Sequence, residues 1–379
     1  MGRPGTAGLL RFLKEARAEP PLSRFIPWSS LVSSHDVLTR AGDWMRIWRL
    51  GGVAFECADE NWIRERHEAK ASLLRNLGGG QFAVWEHRVH RRMVDALTPP
   101  KAGFAAALDR AYTARLAEKP FMSNELYLTI VYRPNAGLAK LRRTAHTIAD
   151  VARAHREART AMEERTALVE RTLREFEPEL LGTRVRNGIE YSEVAEFLFF
   201  IVNGFWQPVR PPRGPLYRIL PAARPFFAGD KFELRLAGER RYAAFLDIKE
   251  YPEEVEPGSL DPLMYEEAEF LETMSYSILP RRQALTALKV QRNQLVTSQD
   301  VVASQIAAMD EAMNDVGDGK IGMGEYHYSL MVFGETPEDA GKRAARAAGA
   351  LAEHSAVEMV PVDLVADAAW MAQWPGNWK

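Results

Sequence analysis

The stretch NELYLTIVYRP, residues 124–134, carries the clearest fold signal in the chain. Leu126, Leu128, Ile130 and Tyr132 alternate with more polar neighbours. An alternation with a period of two predicts a β-strand with one buried face.

The residues before this strand predict further strands and two helices. Asp36–Leu50 resembles a hairpin that turns at Ala41-Gly42-Asp43, and Val53–Glu56 continues the strand pattern after Gly51-Gly52. Asp59 is a suitable N-cap for a helix that ends near Leu77, before three glycines. The remaining elements on this side are a strand at 81–90 and a helix at about 103–118.

The residues after the strand predict long helices. Between Gly137 and Leu180 apolar residues recur at roughly helical spacing, and no proline occurs before Pro178. We expect one long helix or two hinged helices that project or strap two lobes together. The next apolar run, FLFFIV at 197–202, is hydrophobic on all sides of a helix, which indicates full burial or a partner surface.

The second half of the chain repeats the alternation of strands and helices. Six prolines between Pro208 and Pro225 predict a stiff connector. The elements expected after it are strands at 231–236, 240–251 and 268–279, a helix at 280–313, a strand at 325–333, a helix at 337–354 capped by Thr336, and a strand at 356–362.

The order of elements predicts an α+β protein with two ferredoxin-like lobes, each built on an antiparallel sheet and joined by the long helix and the proline-rich connector. Sequence similarity between the two lobes is too weak to establish a repeat. The predicted divisions are an N-terminal arm at 1–25, a first lobe at 26–135, a long helix and an apolar helix at 136–206, the connector at 207–228, and a second lobe at 229–379.

Net charge, cysteine content and the length of apolar runs indicate which classes of protein the chain can belong to. The net charge of −2, from 49 basic and 51 acidic residues, argues against a general affinity for nucleic acid. The single cysteine, Cys57, fits a reducing compartment, and the N-terminus lacks the apolar core of a signal peptide. The longest apolar run, Phe197–Trp206, is too short to cross a bilayer. We therefore expect a cytoplasmic protein.

Two loops resemble ion or nucleotide sites without satisfying their chemistry. In Asn314–Glu325 a valine stands at the third position of a calcium-loop pattern, where a side-chain oxygen is needed. In Gly334–Arg343 the spacing between Gly334 and the Gly-Lys pair is too long for a phosphate-binding loop, and no hydroxyl follows Lys342. We expect a turn and a helix start at these places.

The histidines and arginines give weaker signals. His87 and His90 are three apart on a predicted strand, so their side chains face opposite sides and cannot share a metal. His67 has no second histidine four residues later. The basic stretch at 87–92 and Arg281-Arg282 leave a nucleic-acid or acidic-partner contact open.

The sequence resembles the amino-terminal region of the large VirB/TrbE/CagE-type ATPases of type IV secretion and conjugation systems. The resemblance covers nearly the whole chain and is carried by residues 26–60, 124–134, 240–263 and 326–340. The final stretch WMAQWPGNWK, at 370–379, is similar to the family's Phe-Trp-Ala-Gln-Leu-Pro-Gly-Asn-Phe, with differences at Trp370-Met371 and Trp374.

The resemblance implies that a RecA-like motor domain follows Lys379 and holds the ATP and Mg²⁺. It implies no catalytic, cofactor-binding or metal-binding residue within 1–379. It implies a docking module at the cytoplasmic face of the bacterial inner membrane. The expected partners are inner-membrane channel subunits, other secretion ATPases, the chain's own motor domain and further copies of itself; nucleic acid is not expected.

Aromatic residues are the predicted partner contacts, namely Phe205, Trp206, Trp370, Trp374 and Trp378. The alternative is a self-contained, metal-dependent hydrolase whose site is assembled from carboxylates or histidines of distant segments. Sequence alone leaves this alternative open.

Overall fold

The structure is a computed structural model. It describes residues 20–77, 80–93, 103–117, 121–134, 148–252, 255–297 and 303–377. Most of the predicted arm at 1–25, the start of the predicted long helix, and Trp378 lie outside the described residues. No helix in the described ranges is both long and apolar enough to cross a membrane.

The described residues form strands and helices in close agreement with the predicted order. The strands are β1 Trp28–Leu31, β2 Val37–Thr39, β3 Trp44–Leu50, β4 Phe82–Met93, β5 Phe121–Tyr132, β6 Pro178–Leu180, β7 Thr183–Arg186, β8 Ile189–Ser192, β9 Arg224–Ala228, β10 Lys231–Leu236, β11 Glu239–Glu250, β12 Phe270–Ile278, β13 Gly324–Gly334 and β14 Glu358–Pro361. The α-helices are α1 Glu60–Asn76, α2 Phe104–Ala117, α3 Ile148–Thr172, α4 Glu193–Asn203, α5 Leu216–Ile219, α6 Arg281–Thr297, α7 Ala303–Asp318, α8 Pro337–Ser355 and α9 Ala366–Ala372.

Twelve strands form one antiparallel sheet in the order β1-β2-β3-β5-β4-β12-β13-β11-β10-β9, with β6 beside β3 and β14 beside β11. The group β6-β3-β5-β4 has the strand order of a ferredoxin-like unit, and β14-β11-β13-β12 has the same order. Each unit is preceded by two further strands, β1-β2 in one case and β9-β10 in the other. The α+β prediction is confirmed, and the two halves share the ferredoxin-like strand order that the succession of elements predicts, although the similarity between their sequences is too weak to establish a repeat.

The two halves join through their inner edge strands. β4 and β12 pair antiparallel from Ala83 opposite Ser277 to His90 opposite Phe270. This pairing removes two exposed sheet edges, which would otherwise offer unpaired backbone groups to other chains. The two strand groups predicted as separate lobes therefore share one sheet.

N-capping side chains mark the starts of α1 and α8. The Asp59 carboxylate accepts a hydrogen bond from the Trp62 backbone N–H at 2.9 Å, and Thr336 caps α8 in the same way through Asp339 at 3.1 Å. Side chains that accept these free N–H groups stabilise the first helical turn. Both caps were predicted from the sequence.

One face of the sheet curls around α4. Residues 194–203 of α4 are all buried and Glu193 at its start is half-buried, which agrees with the apolar run at 197–202. The helix ends at Gly204, whose φ of 73° is left-handed and whose missing Cβ leaves room for Leu234. β7, β8 and the chain after Gly204 lie beside α4, and α9 completes this layer.

The opposite face is covered by α1 and α3 in the first half and by α8 in the second half. The predicted long helix ends at Thr172, and it packs against β3 and β5 within the first half. The expectation that it projects or joins two lobes is corrected for its described residues, since Ala158, Met162 and Val169 are buried against the first half. Residues 53–56, predicted as a strand, form no strand.

Candidate docking site

The C-terminal residues 366–377 pack between strands from the two halves of the sheet. Trp370 and Trp374 are both 0% exposed, and their rings meet edge to face at 4.8 Å. Trp374 contacts Trp28 of β1, and Trp370 contacts Phe232 of β10. Since β1 and β10 lie in different halves, this segment holds the two halves together. We call Trp28, Phe232, Trp370 and Trp374 the tryptophan seat.

Hydrogen bonds fix the orientation of the seat. The Trp28 indole donates to the Pro375 carbonyl at 2.8 Å, and the Trp374 indole donates to the Ile201 carbonyl at 3.2 Å. Indole rings combine a large apolar surface with one donor, so each bond selects one ring orientation within the apolar contact. The segment is therefore an ordered part of the core.

Side chains of the central strands β4 and β13 also bind the C-terminal segment. The His87 Nε2 donates to the Gln373 carbonyl at 2.8 Å, and the Gln373 amide donates to the Ser329 hydroxyl at 3.1 Å. His87 belongs to β4 and Ser329 to β13, on either side of the junction between the halves. Gln373 thus connects the C-terminal segment to both halves.

The predicted partner contacts fall into three groups. Trp370 and Trp374 have no exposed surface, so the expectation of a surface contact is corrected for them: a partner could reach either ring only if the segment left the core. Phe205 and Trp206 are half-buried on the outside of α4. Trp378 lies outside the described residues. Partner contact at Phe205 and Trp206 stays a prediction.

Trp206 has a defined position. Its ring lies 5.2 Å from Phe200 and 5.1 Å from the Arg91 guanidinium, a distance typical of a cation–π contact. Arg91 is in turn bound to Glu125. The arrangement leaves part of an anchored indole open to a partner, which is the geometry of residues that contribute strongly to interfaces.

A cleft opens on the opposite face, over the junction of the two halves. Its volume is about 600 Å³, and its walls come from α1 on one side and from the short turn at 261–265 on the other. In the first half α1 covers the sheet at this position, whereas in the second half only this turn of five residues does so. The cleft is open because the described residues of the second half form no helix at the position that α1 covers in the first half.

Charged side chains at the floor of the cleft are paired with one another. The Arg88 guanidinium binds the Glu272 carboxylate at 2.7 Å, and the Tyr328 hydroxyl donates to the other oxygen at 2.9 Å. Lys70 and Glu86 form a second pair at 2.5 Å. Burial raises the pKa of Tyr328, so its hydroxyl remains a donor. No sequence pattern indicates these pairs, because their members lie on different elements that meet only in the folded chain.

The histidines of the predicted basic stretch are buried on opposite faces of β4. His87 contacts Phe197, and His90 is stacked on Phe270 and bonded to the Glu266 carbonyl at 2.7 Å. The prediction that their side chains face opposite sides of the strand is confirmed. Since Arg88 and Arg91 are bound to carboxylates, Arg92 alone keeps an exposed side chain in residues 87–92. The stretch does not form the basic surface that a nucleic-acid contact needs.

We expect the stability of the protein to fall as pH drops from 6.5 towards 4, because burial lowers the pKa of His87 from 6.5 to about 4. Above pH 6.5 the imidazole is neutral in both states. Below it, the unfolded chain binds a proton that the folded chain excludes, so folding is disfavoured by up to about 3 kcal/mol.

Urea unfolding of the wild type and of His87→Gln over this pH range measures the effect. Carboxylates and His327 titrate in both proteins and cancel in the difference. The stability difference should shift in favour of the variant as pH falls. A difference independent of pH would contradict the assignment to His87.

The two loops that resemble ion and nucleotide sites have other partners. Asp315 and Asp318 both bind the Lys320 amino group, at 2.9 and 3.5 Å, so the carboxylate of Asp318, at the fifth position of the calcium-loop pattern, is already paired. At the start of α8, the Asp339 carboxylate accepts the Glu335 N–H at 2.9 Å and binds Arg343 at 3.0 Å. Among the described residues, no group of three or more His, Cys, Asp or Glu could hold a metal ion.

We expect the isolated chain to show no micromolar affinity for ATP. Phosphate binding at a helix start needs free N–H groups and a lysine. Here the Thr336 hydroxyl accepts the Asp339 N–H, the Asp339 carboxylate accepts the Glu335 N–H just before α8, and Pro337 has no N–H to donate. Calorimetric titration with ATP and Mg²⁺ measures this. Micromolar binding that disappears in Lys342→Ala would show that Gly334–Arg343 is a nucleotide loop.

Comparison with known proteins places the chain in a secretion family. Residues 35–139 match the family model of the N-terminal domain of the type IV secretion system ATPase VirB4/TrbE. Residues 179–379 match the model of the CagE, TrbE, VirB family, component of type IV transporter system.

Individual relatives agree with both matches. The chain is 38% identical to the type IV secretion system protein PtlC homolog of Bordetella bronchiseptica, over 100% of the chain and 46% of the relative. It is 34% identical to the type IV secretion system protein virB4 of Brucella melitensis, over 97% of the chain and 46% of the relative. For the virB4 protein of Bartonella quintana the identity is 28%, over 94% of the chain and 46% of the relative.

The chain thus spans about half the length of the curated relatives it matches. The two matched ranges correspond to the two ferredoxin-like halves of the sheet, because each half contains most of one range. Because the second match covers more than half of the chain, the chain belongs to the CagE, TrbE, VirB family, component of type IV transporter system.

Proposed function

We propose that this chain is the docking and assembly module of a type IV secretion ATPase. In this proposal it is non-catalytic and positions the motor at the cytoplasmic face of the inner-membrane channel, for transfer of substrates or growth of a pilus. The observation that supports it best is the tryptophan seat. The C-terminal segment is bonded to both halves of the sheet, so a domain joined after it would have a fixed orientation relative to the module.

A fixed orientation is useful to a motor that works on a channel. A flexible linker would let the motor rotate freely, whereas a segment buried in the core transmits the position of the docked module. We place the ATP and Mg²⁺ chemistry in the part of the relatives that this chain does not span. The proposed partners are inner-membrane channel subunits, other secretion ATPases, the motor itself and further copies of the chain.

The half-buried pair Phe205 and Trp206 is the proposed contact for a channel subunit. An aromatic ring that is anchored on one side and open on the other can bury its free face without losing much conformational entropy. Such residues lose little of their own packing when a partner binds. The pair also lies on the outside of α4, close to the start of the proline-rich segment.

A pull-down tests the proposal. The tagged chain is incubated with detergent-solubilised membranes that contain the secretion channel, and the bound channel subunits are identified. We expect one or more inner-membrane subunits to bind the wild type, and the double variant Phe205→Ala/Trp206→Ala to recover at least about fivefold less, given typical losses for interface aromatics.

Leu364→Ala/Tyr265→Ala provides the matched control, since both side chains are exposed, at 91% and 67%. Circular dichroism verifies that each variant is folded. If no channel subunit binds the wild type, while the rest of the full-length protein is recruited without this region, the docking role is wrong. Equal losses in both double variants would remove Phe205 and Trp206 from the interface.

A further inference from the structure

The cleft over the junction of the two halves has the space and the lining for one side of a helix. α1 and the turn at 261–265 both connect the first two strands of their ferredoxin-like units, and only α1 is a long helix, of 17 residues. Apolar side chains line the cleft, namely Leu73 and Leu74 of α1, Met264 of the turn and Met274 of β12. Its volume of about 600 Å³ is that of an ordinary binding pocket and accommodates several large side chains.

One carboxylate in the cleft has no counter-charge of its own. The side chains of the two ion pairs at the floor are already bound to each other. Asp261 also lines the cleft, and none of the other described residues forms an ion pair with it. Burial raises the pKa of Asp261, although the charge of Arg88 acts in the opposite direction. A cation brought by a partner would therefore complement the cleft.

The helix α2 turns three apolar side chains to solvent. Phe104 is 83% exposed, Leu108 59% and Tyr112 56%. Residues four apart lie on the same side of a helix, so these side chains form one row, which we call the α2 stripe. Among residues 103–115, Ala106 alone is buried. A helix that only covered the core of its own chain would turn its large apolar side chains inwards.

Arg115 continues the α2 stripe, whereas Arg110 does not. Arg115 is seven residues beyond Leu108 and three beyond Tyr112, which places it on the same side of the helix. Arg110 is two residues beyond Leu108, a spacing that places it on another side. Both arginines are exposed. The outward side of α2 therefore combines an apolar row with one cation, which is the combination that the cleft can accept.

We propose that the α2 stripe of one copy of this chain docks in the cleft of a second copy, with Arg115 facing Asp261. The inference goes beyond the proposed function, because it gives the contact between copies, and it does not rest on it, because self-association needs no channel subunit. The stripe and the cleft are different surfaces, so the contact is head-to-tail and each copy can bind two others.

Sedimentation velocity of the 379-residue chain tests the inference. The helix has only 14 residues and the contact is smaller than a standard interface, so we expect dimers and larger assemblies to form over about 1–100 μM. The stripe variant, Phe104→Ser/Leu108→Ser/Tyr112→Ser, lacks the apolar row. It should associate at least about tenfold more weakly than the wild type.

The cleft variant, Ala54→Trp/Asp261→Asn, changes the other side of the contact. Ala54 is exposed and lines the cleft, so a tryptophan there narrows the space for a helix. The second substitution removes the free charge. The cleft variant should also associate at least about tenfold more weakly than the wild type.

A mixture of the two variants shows whether the contact is head-to-tail. The stripe variant keeps an intact cleft, and the cleft variant keeps an intact stripe. Equal amounts should form a dimer of one copy of each, with the affinity of one wild-type contact. No larger assembly should follow, because neither variant has both surfaces.

Single substitutions test the charges. Arg115→Gln and Asp261→Asn should each weaken association about fivefold, and the double variant should lose no more than either single variant, because the two residues act as a pair. Arg110→Gln is the matched control on another side of α2. Val290→Ser/Val296→Ser, on exposed positions of α6 at 52% and 50%, controls for the loss of surface apolar groups. Both controls should associate as the wild type does.

The inference is overturned if the wild type stays monomeric up to about 100 μM, a concentration at which even small specific interfaces form. It is also overturned if the cleft variant associates as the wild type does, since the stripe would then bind a different surface, or if the mixture forms no dimer. Equal association of Arg115→Gln and Arg110→Gln would overturn the pairing with Asp261.

Circular dichroism verifies that each variant is folded, and all substituted side chains are exposed or half-buried. A loss in the α6 control as large as that in the stripe variant would contradict the inference, because the effect would not depend on α2. Failure of the pull-down with normal self-association would contradict the proposed function alone.

Discussion

Replacing Trp374 by alanine is expected to lower the free energy of unfolding by about 3–5 kcal/mol, the usual cost of deleting a large aromatic side chain from a core. The ring is 0% exposed and contacts two other tryptophans. Its removal leaves a cavity between strands from opposite halves, and the fixed backbone around it cannot close the cavity. Urea unfolding followed by circular dichroism measures the loss.

Phenylalanine substitutions separate the contribution of the aromatic ring from that of the indole hydrogen bond. Trp374→Phe keeps a ring but loses the hydrogen bond to the Ile201 carbonyl, whereas Trp370→Phe loses no bond, since the Trp370 indole nitrogen has no partner among the described residues. We therefore expect Trp374→Phe to be the more damaging of the two, by about 1 kcal/mol. Leu364→Ala, exposed at 91%, should stay within about 0.5 kcal/mol of the wild type.

An unfolding free energy for Trp374→Ala within about 1 kcal/mol of the wild type would show that the C-terminal segment is not part of the core. The proposed function would then lose its main structural support. A large loss with unchanged secondary structure in the folded variant would leave that support intact.

The local parts of the fold could be predicted from the sequence. The alternation at 126–132 predicts a strand, the caps at Asp59 and Thr336 predict helix starts, and the apolar run at 197–202 predicts a buried helix, and each of these elements is present in the structure. The strand differs in one respect, because residues 127–132 are buried on both faces of the sheet. The ferredoxin-like order also follows, since it depends only on the succession of elements. These signals arise from backbone geometry and burial within single elements.

The long-range parts could not be predicted. β4 and β12 are far apart in the sequence, and nothing in either strand specifies the other as its neighbour. The same holds for the tryptophan seat, because an indole suits both a core and an interface. The expectation of surface contacts at Trp370 and Trp374 arose from this ambiguity, which only the curvature of the sheet resolves.

Removing the Glu272 carboxylate should also cost about 3–5 kcal/mol, because it leaves a charged group buried without a partner. Its side chain is 1% exposed, and that of Arg88 is 9% exposed. The two residues are opposite each other on β12 and β4, where the halves of the sheet meet. In Glu272→Ala, the Arg88 guanidinium keeps one bond, to the Leu260 carbonyl at 3.1 Å, and the Tyr328 hydroxyl loses its acceptor.

The cost lies in the unpaired charge and not in the absence of a salt bridge. Two charges brought out of water lose hydration free energy that their mutual attraction roughly offsets, so an apolar pair of similar size is often as stable. We therefore expect Arg88→Met/Glu272→Leu to be clearly more stable than Glu272→Ala, although the double variant lacks both charged groups and the single variant lacks only one. Urea unfolding of Arg88→Met, Glu272→Leu and the double variant gives the coupling energy. Additive losses would show that Arg88 and Glu272 act independently, and the junction between the halves would then depend on its backbone pairing and apolar contacts alone.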